Sequence, residues 1–204
     1  MSSRADLRTM LRRRLEDTTG TPLWDDATLN DVLAEALSHY GIRFPAERTL
    51  TLAVTEGLMS VPVSPYLERS EVLAVRDGSG QLLPQQRGHA TGSGLAASQS
   101  WRWWNGELLL SRPAAAGAWE IDHLGRRQLP GNDGDAVEIR QGDEEIVVLL
   151  GAASALLRRA VELGKRGAES AGLTLTRVAE RHTREAEKLM SSRRRRATGG
   201  WIAE

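Results

Sequence analysis

The chain has 204 residues, no cysteine, and 27 basic residues balanced by 27 acidic ones, so its formal net charge is zero. That length buries a core without staples, and the missing thiols exclude disulfides, thiolate metal sites and a cysteine nucleophile. No apolar run reaches the roughly 18 residues that cross a bilayer, and the charged first 15 residues lack an apolar signal core, so the sequence suits a protein made in the cytosol without a membrane.

The first helix is expected to start near Ser3, with Asp6 three residues later as a partial capping box. Leu7, Met10, Leu11 and Leu15 recur at helical spacing, and Arg4, Arg8 and Arg12 form the opposite stripe. Thr18-Thr19-Gly20 stops it. The second helix has Asp25 as its N-cap, Trp24 just before it and Leu29 at the fourth helical position. That register predicts a hydrophobic staple of Trp24 on Leu29, with Asp26 adding negative charge at the positive helix end. Its apolar face runs from Leu29 through Val32, Leu33, Ala36 and Leu37 to Tyr40, and Gly41 and Pro45 are expected to end it.

From Thr49 the hydrophobic period changes to two. Leu50, Leu52 and Val54 alternate with polar residues, and a second short strand ends at Val61-Pro62-Val63. Strands at 71–76 and 81–84 flank Asp77-Gly78-Ser79-Gly80, and strands at 101–104 and 107–110 flank Asn105-Gly106, a type I′ hairpin signature. Residues 86–100 read as a Gly/Ser/Ala-rich loop, and 118–124 as one more strand. A third helix begins near Asp143, with an apolar stripe from Ile146 to Val161 so broad that it asks for burial on more than one side. Gly164, Gly167 and Gly172 are expected to break it. A fourth helix places Leu175, Val178, Ala179, His182, Ala186 and Leu189 on one face, and residues 193–204 follow as a tail.

The expected fold is therefore α+β: a four-helix-type bundle made of residues 1–48 and 144–192, interrupted by a β-rich insertion at 49–143 and followed by an extended C-terminal tail at 193–204. The charge follows these segments. Residues 49–143 hold eight basic and eleven acidic side chains, and residues 181–204 hold seven basic and three acidic.

The search for chemistry finds no catalytic set. His39, His89, His123 and His182 fall in separate elements without ligand spacing, so neither a metal nor a cofactor is expected. His182, on an apolar face, reads as a hydrogen-bonded packing residue, and His123 and Asp122, adjacent in a strand, point to opposite faces. There is no phosphate-binding Gly loop before a Lys, no nucleophile elbow and no HExxH. Glu144-Glu145 and Asp25-Asp26 sit at helix starts, where capping explains them. Trp101, Trp103, Trp104 and Trp119 fit a small β core, a protein contact, or a stacking platform for sugar or single-stranded nucleic acid. The run Arg193-Arg194-Arg195-Arg196, followed by two Gly and then Trp201-Ile202, has the look of a tether with an anchor. Docking on a protein partner, contact with DNA and plain disorder are its three readings.

Taken in order, the chain resembles the head-to-tail adaptor (connector, head-completion) proteins of tailed bacteriophages. The residues that carry the resemblance are Trp24-Asp25-Asp26 with Leu29, the ALSHYGIRFP run ending at Phe44-Pro45, Val61-Pro62, the Val72 to Leu83 hairpin, the WNGELLLSRP pair from Trp104 to Pro113, and the Ala-rich helix from Glu144 to Leu163. The resemblance implies a structural virion protein without enzymatic activity, forming a ring, typically a dodecamer, beneath the portal. Such a ring extends the DNA channel, helps retain packaged DNA and offers a platform to the tail or neck. It also implies that the C-terminal segment docks on the portal through Arg193, Arg194, Arg195, Arg196, Trp201 and Ile202. The broad stripe of the third helix gives the same expectation on physical grounds, because a heterologous ring buries one face of each copy on the next. Two other classes compete: a DNA-binding regulator using the N-terminal Arg stripe and the C-terminal Arg run, and a carbohydrate-binding or tail-fibre module using the Trp cluster.

Overall fold

The computed structural model describes residues 2–18, 20–63, 67, 71–86 and 99–198, with side chains as far as Arg193. Among the described residues the fold is α+β, with four helices and two small antiparallel sheets that do not close into a barrel. The chain divides into two units, residues 1–45 with 126–204, and residues 46–125.

The helical unit begins with α1 (Arg4–Arg14), whose start is a complete capping box: Ser3 Oγ accepts the Asp6 N–H at 3.1 Å and Asp6 accepts the Ser3 N–H at 2.9 Å. Helix α2 (Asp26–Arg43) is capped by Asp25, which accepts the Thr28 N–H at 2.7 Å. Trp24 is half-buried against the cluster that contains the fully buried Leu29, where the staple register expects it. Gly41 does not end α2. The helix continues to Arg43, and Pro45 stops it by pushing Phe44 out of the helical region, to φ −133° and ψ 69°.

Helices α3 (Glu144–Lys165) and α4 (Glu169–Thr198) run antiparallel, since Gly172 of α4 meets Ala160 of α3 while Arg193 meets Asp143. Leu149, Ala152 and Ala155 of α3 pack on Leu7 and Leu11 of α1, Leu33 and Leu37 of α2, and Ala186 and Met190 of α4. Each Leu buried in this way stabilises the unit by about 1.5–3 kcal/mol. Gly172 lies inside α4 and does not break it. A Cβ there would sit 3.0 Å from the Ala160 carbonyl oxygen, so the glycine permits the close approach of the two helices. The reversal between them falls at Gly167, with φ +79°.

Two expected boundaries move. The insertion is 46–125, not 49–143, because residues 126–143 pack with the helices. Val137 and Ile139 are buried in the helical core, and the Val137 N–H donates to the Ser2 carbonyl at 2.9 Å. Helix α4 continues to Thr198, so residues 193–198 are helical and not an extended tail. Arginine is a good helix former and no Gly or Pro intervenes before Gly199.

The β unit contains β1 (Ala46–Val54), β2 (Ser60–Pro62), β3 (Val72–Arg76), β4 (Leu82–Leu83), β5 (Trp101–Trp104), β6 (Glu107–Leu110) and β7 (Gly117–Gly125). One sheet has the order β1-β7-β3-β4 and the other β2-β6-β5. Asn105 at φ 47° and Gly106 at φ 82° form the type I′ turn between β5 and β6. The β3–β4 turn is held by Asp77, which accepts the N–H groups of Ser79 and Gln81 at 2.9 and 3.0 Å. Trp101 and Trp119 fill the core together with Leu108 and Ile121, and each indole N–H is satisfied, on Leu83 O at 3.1 Å and Ala115 O at 3.2 Å. Trp103 is partly buried on the same cluster, while Trp104 stands 62% exposed. Residues 87–98, most of the expected Gly/Ser-rich loop, lie outside the described residues.

Trp24→Ala is expected to lower the stability of the helical unit by roughly 1–3 kcal/mol, from lost ring burial and the lost staple. Denaturant unfolding of the variant checks this, and an unchanged midpoint would remove the staple from the account.

Candidate docking arm and its anchor

The last turns of α4 are tied to the start of α3 by one buried carboxylate. Asp143 is 2% exposed. Its Oδ2 accepts the Tyr40 hydroxyl at 2.7 Å, and its Oδ1 lies 2.9 Å from Arg193 Nε. Arg193 Nη2 also donates to the Gly142 carbonyl at 2.9 Å. Three elements therefore meet at this point: the end of α2, the start of α3 and the end of α4. Asp143 stands at the N-cap position of α3 without capping it through its side chain, and the positive end of the helix favours its charge. Burial, and then the hydrogen bond to Asp143, push the Tyr40 phenol up to about 12.

A second arginine closes the end of α2. Arg127 donates from Nε to Phe44 O at 2.5 Å, from Nη2 to Pro45 O at 3.2 Å, and from Nη1 to Glu138 O. Its guanidinium lies 5.5 Å from the Tyr40 ring centroid. It satisfies carbonyls that the helix end leaves open and fixes the segment after Gly125 on the helical unit.

Of the six residues expected to dock on a partner, Arg193 alone has a described side chain, and that side chain faces Asp143. Within the chain Arg193 thus serves the buried carboxylate, which needs a cationic or hydrogen-bonding partner. Arg194, Arg195 and Arg196 lie on the helical backbone of α4, and Trp201 and Ile202 lie outside the described residues. Glu144 and Glu145 are likewise more than caps. Glu144 accepts the Ser2 hydroxyl at 3.3 Å and the Gly142 N–H at 2.8 Å, and Glu145 pairs with Arg14 at 3.1 Å. Arg14 and Glu145 line an open groove of about 620 Å³ together with Met10 and Val148.

The N-terminal Arg stripe is engaged within the unit. Arg4 and Arg8 meet Asp133 at 2.7 and 2.8 Å, and Arg12 meets Asp17 at 2.7 Å and Asp26 at 2.6 Å. Hydrogen bonds from Arg8 and then Arg4 bring the Asp133 carboxyl down to about 2. His123 pairs in register with Arg48 of β1 and Val72 of β3, and His182 lies on α4. The Nδ1 of each is buried without a hydrogen-bond partner among the described residues, so the bonded packing role expected for His182 is not found at that nitrogen. His89 lies outside the described residues. Among the described residues no group of three or more His, Cys, Asp or Glu side chains is placed to hold a metal ion, and no helix is long and apolar enough to cross a membrane.

No protein-family model matches the chain, and neither does any curated protein sequence.

Two outcomes test this geometry. Asp143→Ala takes away the acceptor of the buried Tyr40 hydroxyl proton and is expected to cost on the order of 1–3 kcal/mol. Arg193→Ala leaves the buried Asp143 carboxylate without its cationic partner and is expected to cost a similar amount, on the order of 1–3 kcal/mol. An unchanged midpoint for either variant in chemical denaturation would contradict this geometry. The acid limb is set in part by Asp133. Its folded pKa is depressed, so its contribution is present above the ordinary value of 3.8 and is lost as pH falls from there toward about 2. Asp133→Asn is expected to flatten acid unfolding across that window, as followed by circular dichroism.

Proposed function

We propose that this chain is a head-to-tail adaptor of a tailed bacteriophage. In this reading it is a structural virion protein, without catalytic turnover, made in the host cytoplasm and placed at the head-to-tail junction. Copies form a ring, typically a dodecamer, beneath the portal protein. The ring extends the channel, lets packaged DNA pass without sequence-specific contact, and offers its far side to a tail or neck protein. The observation that carries the reading is the interrupted helical unit. Both ends of the chain build one four-helix-type bundle, and a β unit of two small sheets enters it between Pro45 and Arg126. This is the order of features on which the resemblance to the adaptors rests.

The surface of the helical unit supports assembly. Leu157, Val161 and Leu173 are 44%, 59% and 61% exposed. Leu157 and Val161 are one turn apart on α3, and the contact of Gly172 with Ala160 sets Leu173 beside the same helix crossing. Exposed apolar side chains of this kind suit protein contacts, and a heterologous contact between copies would cover them while closing into a ring. The portal-facing part of the arm is then Arg194, Arg195, Arg196, Trp201 and Ile202, with Arg193 as its anchor. The rival reading, a DNA-binding regulator, needs the N-terminal stripe free for phosphates. Arg4, Arg8 and Arg12 are instead each held by an aspartate.

A pull-down on purified portal rings tests the arm. Removing residues 194–204 keeps the Arg193 anchor and is expected to leave the melting temperature unchanged while portal binding falls at least tenfold. Undiminished binding by the truncated chain would remove the arm from the mechanism. The double substitution Leu157→Glu and Val161→Glu is expected to leave a folded chain that no longer associates with itself, as read by light scattering. Assembly equal to that of the unaltered chain would exclude this face from the ring contact.

A further inference from the structure

Helix α4 carries a buried ionisable group that the adaptor reading does not use. His182 is 8% exposed, and its Nδ1 finds no hydrogen-bond partner among the described residues. It follows Val178 and Ala179 by one turn and precedes Ala186 by another, so it sits on the face of α4 that packs inward. At this level α3 presents Ala153 and Leu156, which cluster with Ala179, and Leu15 beyond the end of α1 packs against them. The charges acting on the imidazole are Arg14 from α1, and Arg181 and Glu185 from α4 itself. Two of these three are cations.

A neutral imidazole is tolerated in such a place. An imidazolium is disfavoured there, because its buried Nδ1–H lacks an acceptor and two guanidinium groups repel it more than Glu185 attracts it. We propose that His182 is an acid-sensitive release for α4: protonation sets a cation whose Nδ1–H has no acceptor into the α4 packing face, and the helix loosens from α3 and from the end of α1. Burial first, and then Arg14 and Arg181, hold its pKa below the ordinary 6.5. The unfolded chain therefore binds a proton more readily than the folded one. The packing of α4 is at full strength above pH 6.5 and weakens as pH falls below it. The effect reaches the arm, since α4 also carries Arg193 and its hold on Asp143. None of this depends on the partner to which the arm binds.

The test is hydrogen exchange of the full chain between pH 7.5 and 5, corrected for the intrinsic exchange rate. The opening constant of α4 amides is expected to rise below pH 6.5 by up to about tenfold per pH unit, the limit for one proton, while α2 amides stay flat. His182→Leu, which fits the apolar neighbourhood, is expected to abolish the rise. His182→Gln, neutral and polar, is expected to do the same and serves if the leucine variant folds poorly. An α4 pH dependence that persists in either folded variant would overturn the proposal. So would a His182 imidazole that titrates at or above 6.5 by nuclear magnetic resonance in the unaltered protein.

Discussion

The helical unit depends on a carboxylate taken out of water. Asp143 is 2% exposed and carries a charge that costs several kcal/mol to desolvate unless it is paired and hydrogen-bonded. Its two partners come from elements far apart in sequence, Tyr40 from the end of α2 and Arg193 from near the end of α4. Satisfying one side chain therefore fixes where three helices meet. Tyr40 is further held by the guanidinium of Arg127, which also takes up the carbonyls of Phe44 and Pro45. The segment that follows the β unit is thus fastened to the helices at the turn by which the chain left them. Such a network is worth little if half-satisfied and specifies one arrangement when complete.

Local features were legible in the sequence because they depend on neighbours within a few positions. Ser3 with Asp6, Asp25 with Thr28, and Asn105-Gly106 each act over one turn or less, and each is found with the geometry its residues demand. The change of hydrophobic period located both units to within a few residues at the first boundary. The second boundary was missed because residues 126–143 have no period to read. They belong to the helical unit through Arg127, Asp133, Val137 and Ile139, whose partners lie distant in the chain. The anchor was missed for the same reason: Tyr40 and Asp143 are 103 positions apart. The one available signal was a tyrosine on an apolar helix face, since a buried phenol needs a partner. The arginine run was read as a tail because charge runs are usually solvated, yet arginine favours the helix and carries α4 on to Thr198.

The arrangement changes what the arm is. In the adaptor reading proposed above, an arm whose base is part of a packed helix loses less entropy on docking than a free tail would. In the same proposal the apolar side chains left open on α3 and α4 serve the contact between copies. The stripe of Arg4, Arg8 and Arg12 is paired with Asp17, Asp26 and Asp133 and so is not free for DNA phosphates.

Assembly on a portal is the central claim, and electron microscopy of the purified full-length chain mixed with portal rings tests it most directly. The account predicts class averages with a closed ring of this chain stacked coaxially on the portal, its subunit number matching the symmetry of the neck. Bare portals beside dispersed single chains, at concentrations where the chain is folded and in excess, would contradict it.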